Sequence, residues 1–108
     1  MAEVVRVTEA NTLEREVEQA LRSMVRRHGG YCLKWVSPGN SGVPDRIILL
    51  PRGGIIFAET KKPKGGRPSA LQIVWSDRLA ALGFSHRFIY SKQDVFELET
   101  EIERRERH

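Results

Sequence analysis

The sequence predicts an α/β (α+β) fold, a mixed β-sheet flanked by helices in the order αβββαβα. Three observations predict it. Three segments carry apolar residues at helical spacing behind capping residues. Four short runs rich in aliphatic and aromatic residues are bounded by Gly and Pro. The second and third of these runs flank a tight Pro51-Arg52-Gly53-Gly54 turn and so form a hairpin, while a helix separates the third from the fourth, the layout of a β-α-β unit.

The first helix is expected over about residues 13–28. Asn11 or Thr12 can cap it, with Glu14 three residues after Asn11, close to a capping box. Leu13, Val17, Ala20, Leu21 and Met24 form one apolar stripe, and Gly29-Gly30 end the helix. Residues 31–36 read as the first strand. Residues 37–42, SPGNSG, read as a loop, because Gly and Pro supply its turns. Residues 45–50 are the second strand and 55–61 the third. A basic, flexible connection, KPKGGRP, follows. Ser69 caps the second helix, with Gln72 completing a capping box, and Leu71, Val74, Trp75, Leu79 and Leu82 supply its apolar face. The fourth strand ends at Tyr90. Ser91 begins the last helix, with Asp94 three residues on and Val95, Leu98 and Ile102 facing inward.

The 108 residues suit a single domain, with a core over about 12–98 and a helical tail over 92–108 that is expected to fray beyond Glu101. No apolar run approaches the roughly 20 residues of a membrane span, and no signal-like segment opens the chain, so the expected setting is intracellular and cytoplasmic, without membrane contact. The only cysteine, Cys32, excludes an intrachain disulfide and a cysteine zinc cage, and reads as a buried strand residue. Net charge is +4, which suits a polyanionic partner. The charge is concentrated in residues 61–67, KKPKGGR, where Lys62, Lys64 and Arg67 are candidates for contact with the charges of such a partner. His28, His86 and His108 show no metal-ligand spacing and are assigned structural or surface roles. Trp35 and Trp75 read as core residues, and Arg46 as a surface or interface residue.

The chemistry lies in the hairpin. Glu59 and Lys61 are two residues apart in a strand and therefore share a face. If Leu50 pairs with Gly54 across a three-residue loop, with Gly53 left-handed, then Asp45 falls opposite Glu59 and the three side chains converge. A loop one residue longer or shorter turns Asp45 to the other face. Two close carboxylates are stable when one is protonated or a cation lies between them. Mg²⁺ (or Mn²⁺) suits such oxygen ligands, polarises a phosphoryl oxygen and acidifies water. A neighbouring lysine stabilises phosphate charge. Asp, Glu and Lys together make a minimal site for phosphodiester hydrolysis.

GVPD followed thirteen residues later by ETK resembles the PD-(D/E)xK nuclease pattern. The wider context includes an acid-rich first helix, G-V-P-D-R-I-I, F-A-E-T-K, a basic linker, S-x-x-Q and LGFSHRFIYS. Together these resemble the VRR-NUC domain, the virus-type replication-repair nuclease branch, over about residues 12–98. The resemblance implies a restriction-endonuclease-like core and a metal-dependent DNA endonuclease. It implies action on branched DNA such as four-way (Holliday) junctions, and a homodimer. It implies that Asp45, Glu59 and the carbonyl of Thr60 bind metal, that Lys61 is the catalytic lysine, and that Gln72 matches the family's glutamine. The family also places a first-helix glutamate at the site. Among Glu14, Glu16 and Glu18, the spacing to Gly29 favours Glu16, with Glu14 next. The alternatives are a non-catalytic nucleic-acid-binding module that keeps this fold, and a protein-interaction domain.

Overall fold

A computed structural model describes residues 13–107. Its elements are α1 (Glu14–Arg27), β1 (Tyr31–Lys34), β2 (Arg46–Leu50), β3 (Gly54–Thr60), α2 (Ala70–Ala81), β4 (Ser85–Ile89) and α3 (Lys92–Glu106), in the expected αβββαβα order. One sheet runs β1-β2-β3-β4. Its first two pairings are antiparallel and β3–β4 is parallel, as a hairpin joined to a β-α-β unit requires.

Alternation along the strands separates two faces. On one face, Cys32, Ile48, Ile56, Ala58 and Ile89 pack under Val17, Leu21, Met24 and Val25 of α1 and Val95, Leu98 and Ile102 of α3. Each large aliphatic side chain fully buried here contributes about 1.5–3 kcal/mol of transfer free energy. The opposite face carries Trp35, Phe57 and Phe84. Their rings contact one another in series with centroids 5.3 Å apart in both pairs, next to α2.

The hairpin takes the register that a three-residue loop dictates: Leu50 pairs with Gly54, and Arg46 with Ala58. Pro51–Gly53 form one short 3-10 turn in which Gly53 is left-handed (φ 82°), as expected, and Arg52 is left-handed as well (φ 62°). Both later helices carry the expected caps. Ser69 and Gln72 form a reciprocal capping box, and the Ser91 hydroxyl accepts from the Asp94 N–H. In α1 the N-cap position falls to Leu13, which offers no side-chain cap. Asn11 and Thr12 lie outside the described residues, as does His108.

Four expectations are corrected. The apolar face of α2 is mostly exposed: Leu79 is buried and Trp75 half-buried, but Leu71, Val74 and Leu82 are exposed. The reason is that α2 packs on the edge strand β4 and covers only part of its sheet face. Arg46 is not a surface residue. It is buried toward α1, where its guanidinium meets Glu18 at 2.8 Å. The two tryptophans are half-buried rather than core. The tail does not fray after Glu101, because α3 continues to Glu106 with partners along its length.

Those partners include His28, the C-cap residue of α1. Its Nε2 and Nδ1 lie 2.7 and 2.8 Å from carboxylate oxygens of Glu99 and Glu106. The bonds to Glu99 and Glu106 raise the His28 pKa above its ordinary value, and the bond to His28 lowers that of Glu99. This clamp of α1 on α3 is therefore fully charged between the ordinary carboxylate and imidazole ranges. It weakens as pH rises through the raised His28 value, or falls through the lowered Glu99 value.

Candidate active site

Asp45 sits one residue before β2, and the hairpin register sets it level with Glu59 near the end of β3. Two local features hold it there. The Trp35 N–H donates to the Asp45 carbonyl at 2.9 Å, and Pro44 is fully buried. The preceding loop closes on the first turn of α2. A Cβ at Gly42 (φ 90°) would stand 2.6 Å from Leu71 Cβ, so the approach needs glycine for both space and conformation. The glycine three residues before Asp45 therefore has a steric purpose.

Glu59 is only 2% exposed. Asp45 Oδ1 and Glu59 Oε2 are both buried without a hydrogen-bond partner among the described residues. Burial raises the Asp45 carboxyl to about 6, and the carboxylates of Glu59, Glu18 and Glu14 add to the rise against the opposing charge of Arg46. Hard oxygen donors, negative charge and unspent lone pairs thus meet at one place, which is a setting that accepts a divalent cation.

Lys61 follows at the mouth of the site. Its Nζ donates to Gln72 Oε1 at 2.7 Å, and the same oxygen accepts the Ser69 N–H at 2.8 Å. Capping and contact with the site, two roles that the sequence offers for Gln72, are served by a single oxygen. The capping box immobilises Gln72, and Gln72 in turn aims the ammonium group. Thr60 lies between Glu59 and Lys61, with its side chain on the core face of the sheet. There its Oγ1 donates to Glu14 Oε2 at 3.3 Å.

The three helix glutamates are thereby distinguished. Glu14 reaches the end of β3, and Glu18 is taken by Arg46. Glu16 forms no hydrogen bond or ion pair among the described residues. Lys62, Lys64 and Arg67 are exposed beside the site. They ride on a turn rather than a loose tether: Gly65 is left-handed (φ 81°), and a Cβ at Gly66 would stand 2.6 Å from the Lys62 carbonyl oxygen.

Sequence reasoning missed one neighbour. His86, on β4, stands with its Nε2 3.4 Å from Glu59 Oε2. Alternation along β4 was the available signal, but it leads to Glu59 only once the parallel register with β3 is known. Cys32 has no part here, since burial pushes its thiol up to about 11, far from the range of a nucleophile. Among the described residues, three possible His, Cys or carboxylate ligand atoms lie within 4.8 Å of one another only at His28, Glu99 and Glu103. There both imidazole nitrogens are already committed to carboxylates.

No family model matches the chain. A protein named “Putative nuclease p44”, of Acyrthosiphon pisum secondary endosymbiont phage 1, is 50% identical over 70 residues, which cover 65% of this chain and 74% of the phage protein. A solved structure described as “VRR_NUC domain” matches with a TM-score of 0.74 and 30% identity, over 79% of this chain and 91% of its own.

Proposed function

This chain belongs to the VRR-NUC family, and from that premise we propose that it is a divalent-metal-dependent endodeoxyribonuclease. The observation that carries this reading is the pair of buried, unpartnered carboxylate oxygens of Asp45, just before β2, and Glu59, on the neighbouring strand that leads into the anchored Lys61. An interaction module would have no use for such a pair, since buried carboxylates without partners destabilise the fold.

Asp45 and Glu59 hold the cation, with the Thr60 carbonyl as a further ligand. Glu14, rather than Glu16, is the first-helix carboxylate that faces this end of β3. Bound Mg²⁺ or Mn²⁺ supplies an acidified water and polarises the scissile phosphoryl group. Lys61 places its ammonium group against the charge that develops on the phosphate, and Gln72 keeps it aimed. Lys62, Lys64 and Arg67 contact flanking phosphates and hold the backbone over the site. The test is incubation of end-labelled duplex and four-way-junction DNA with Mg²⁺ or Mn²⁺, with and without EDTA. Cleavage that chelation abolishes is expected. Binding without cleavage under either metal would return the protein to the class of non-catalytic modules.

The basic turn makes its own contribution. With Lys62, Lys64 and Arg67 all replaced by alanine, DNA affinity falls, and the slope of log K against log salt flattens by about 0.9 for each phosphate no longer neutralised. Fluorescence anisotropy over a salt series measures this, and an unchanged slope clears the turn of any phosphate contact.

We assign branched DNA, four-way junctions included, as the preferred substrate, and a homodimer as the acting species. The family resemblance supports both. The exposed apolar strip of Leu71, Val74 and Leu82 on α2, with Phe84 beside it, supports the dimer. Two strands cut symmetrically need two sites related by a twofold axis, and each chain carries one. Sedimentation equilibrium should return twice the mass of one chain, and a monomer at micromolar concentration overturns the assignment. Among the described residues no helix is long and apolar enough to cross a membrane. A DNA substrate implies work inside a cell.

A further inference from the structure

Glu59 and His86 form a buried polar pair, and the proposed reaction gives His86 no part. The two side chains are 2% and 3% exposed, and Glu59 Oε2 and His86 Nε2 are 3.4 Å apart. Neither atom has a hydrogen-bond partner among the described residues. The sheet sets their relation. His86 pairs with Phe57 and Phe88 with Glu59, so both ends of the contact lie on the face that carries the site. The imidazole stands edge-on to Phe88, with centroids 4.6 Å apart.

Leaving a buried donor or acceptor unsatisfied costs roughly 1–3 kcal/mol. Two such atoms facing one another, a few tenths of an ångström beyond hydrogen-bond range, satisfy each other through a small movement. Hydrogen bonds of this kind are commonly long in a free enzyme and tighten in its complex. At 3% exposure His86 is too deep to meet a phosphodiester, so a direct role on the substrate is not open to it.

We propose that His86 is a positioning residue for the cation site. With its proton on Nε2, it donates to Glu59 Oε2 and fixes the rotation of that carboxylate toward Asp45. Metal-binding carboxylates are held in this way by donors behind them, and removal of such a donor weakens metal binding roughly 10- to 100-fold. The inference rests on the reading of Asp45 and Glu59 as cation ligands.

The experiment is Mn²⁺ binding to DNA-free protein, followed by the electron paramagnetic resonance of free Mn²⁺, in wild type, His86→Leu and His86→Gln. His86→Leu keeps bulk and removes the donor, so Mn²⁺ affinity is expected to fall roughly 10- to 100-fold. His86→Gln keeps an N–H at similar reach and is expected to restore most of that affinity. A purely steric role for the ring predicts no such rescue. Equal affinity in wild type and His86→Leu, or a His86→Gln as weak as His86→Leu, overturns the inference and leaves the metal site standing. Absence of Mn²⁺ binding by the wild type overturns the metal site and the inference together. If His86→Leu fails to fold, the wild-type imidazole decides by ¹⁵N NMR: a protonated Nε2 whose hydrogen exchanges more slowly with Mg²⁺ supports the inference, and a proton on Nδ1 alone overturns it.

Discussion

Asp45→Asn abolishes metal-dependent cleavage, by about 10³-fold or more, and at the same time stabilises the metal-free protein. The drop in rate follows from removing a charged ligand, because the cation's stabilisation of the transition state is worth several kcal/mol and each 1.36 kcal/mol is a factor of ten. The gain in stability follows from the sign of the Asp45 shift. Its carboxyl titrates at about 6 in the folded protein, against an ordinary 3.8. Between those values the folded chain holds a proton that the unfolded chain has released. Stability therefore falls as pH rises through this window, and stays lower above it. Asparagine removes the charge and with it that penalty. Melting temperature without metal should rise in Asp45→Asn near neutral pH and change little below about pH 4, where the wild-type carboxyl is already protonated. Mg²⁺ should act in reverse, raising the wild-type melting temperature above pH 6 and leaving Asp45→Asn unmoved. Calorimetry across pH, with and without Mg²⁺, measures all of this. A variant that cuts at the wild-type rate removes Asp45 from the site.

Lys61→Ala should lower the single-turnover cleavage rate by about 10²–10³-fold, the cost of deleting one aimed donor at developing charge. Its effect on Mn²⁺ affinity should be small, because the ammonium group is tied to Gln72 and not to either carboxylate. DNA affinity should also hold, since Lys62, Lys64 and Arg67 remain. The diagnostic result is a reduction confined to the rate of the chemical step. A fall in DNA affinity that accounts for the whole effect would reassign Lys61 to binding.

The two variants test different parts of one arrangement, and those parts were unequally legible in the chain. Asp45, Glu59 and Lys61 could be read together because period two and a three-residue hairpin loop are local rules. With Gly53 as the left-handed residue, the register follows within a few residues, and Leu50 does pair with Gly54. The Ser69–Gln72 box was equally legible, since a cap is written in four consecutive residues. The first-helix glutamate was not. Glu14 and Glu16 flank the apolar stripe of α1 on opposite sides and Glu18 points further from it, and which of them meets β3 depends on how the helix lies on the sheet.

Arg46 and α2 illustrate the same limit. Charge next to a turn reads as surface, yet Arg46 is buried because Glu18 stands across from it on another element. An apolar stripe reads as a buried face, yet most of the α2 stripe is uncovered, because α2 packs chiefly on the edge strand β4.

The order of elements was legible from local patterns, and the hairpin register, with the face shared by two acids and a lysine, was legible on the condition of a three-residue loop, because each is governed by residues within a turn or two of one another. Long-range packing sets Glu14 against Thr60, Glu18 against Arg46 and His86 behind Glu59. Those pairings join elements far apart in the chain. They depend on helix placement and on a parallel register that no local turn sets, so they form only once the core has packed.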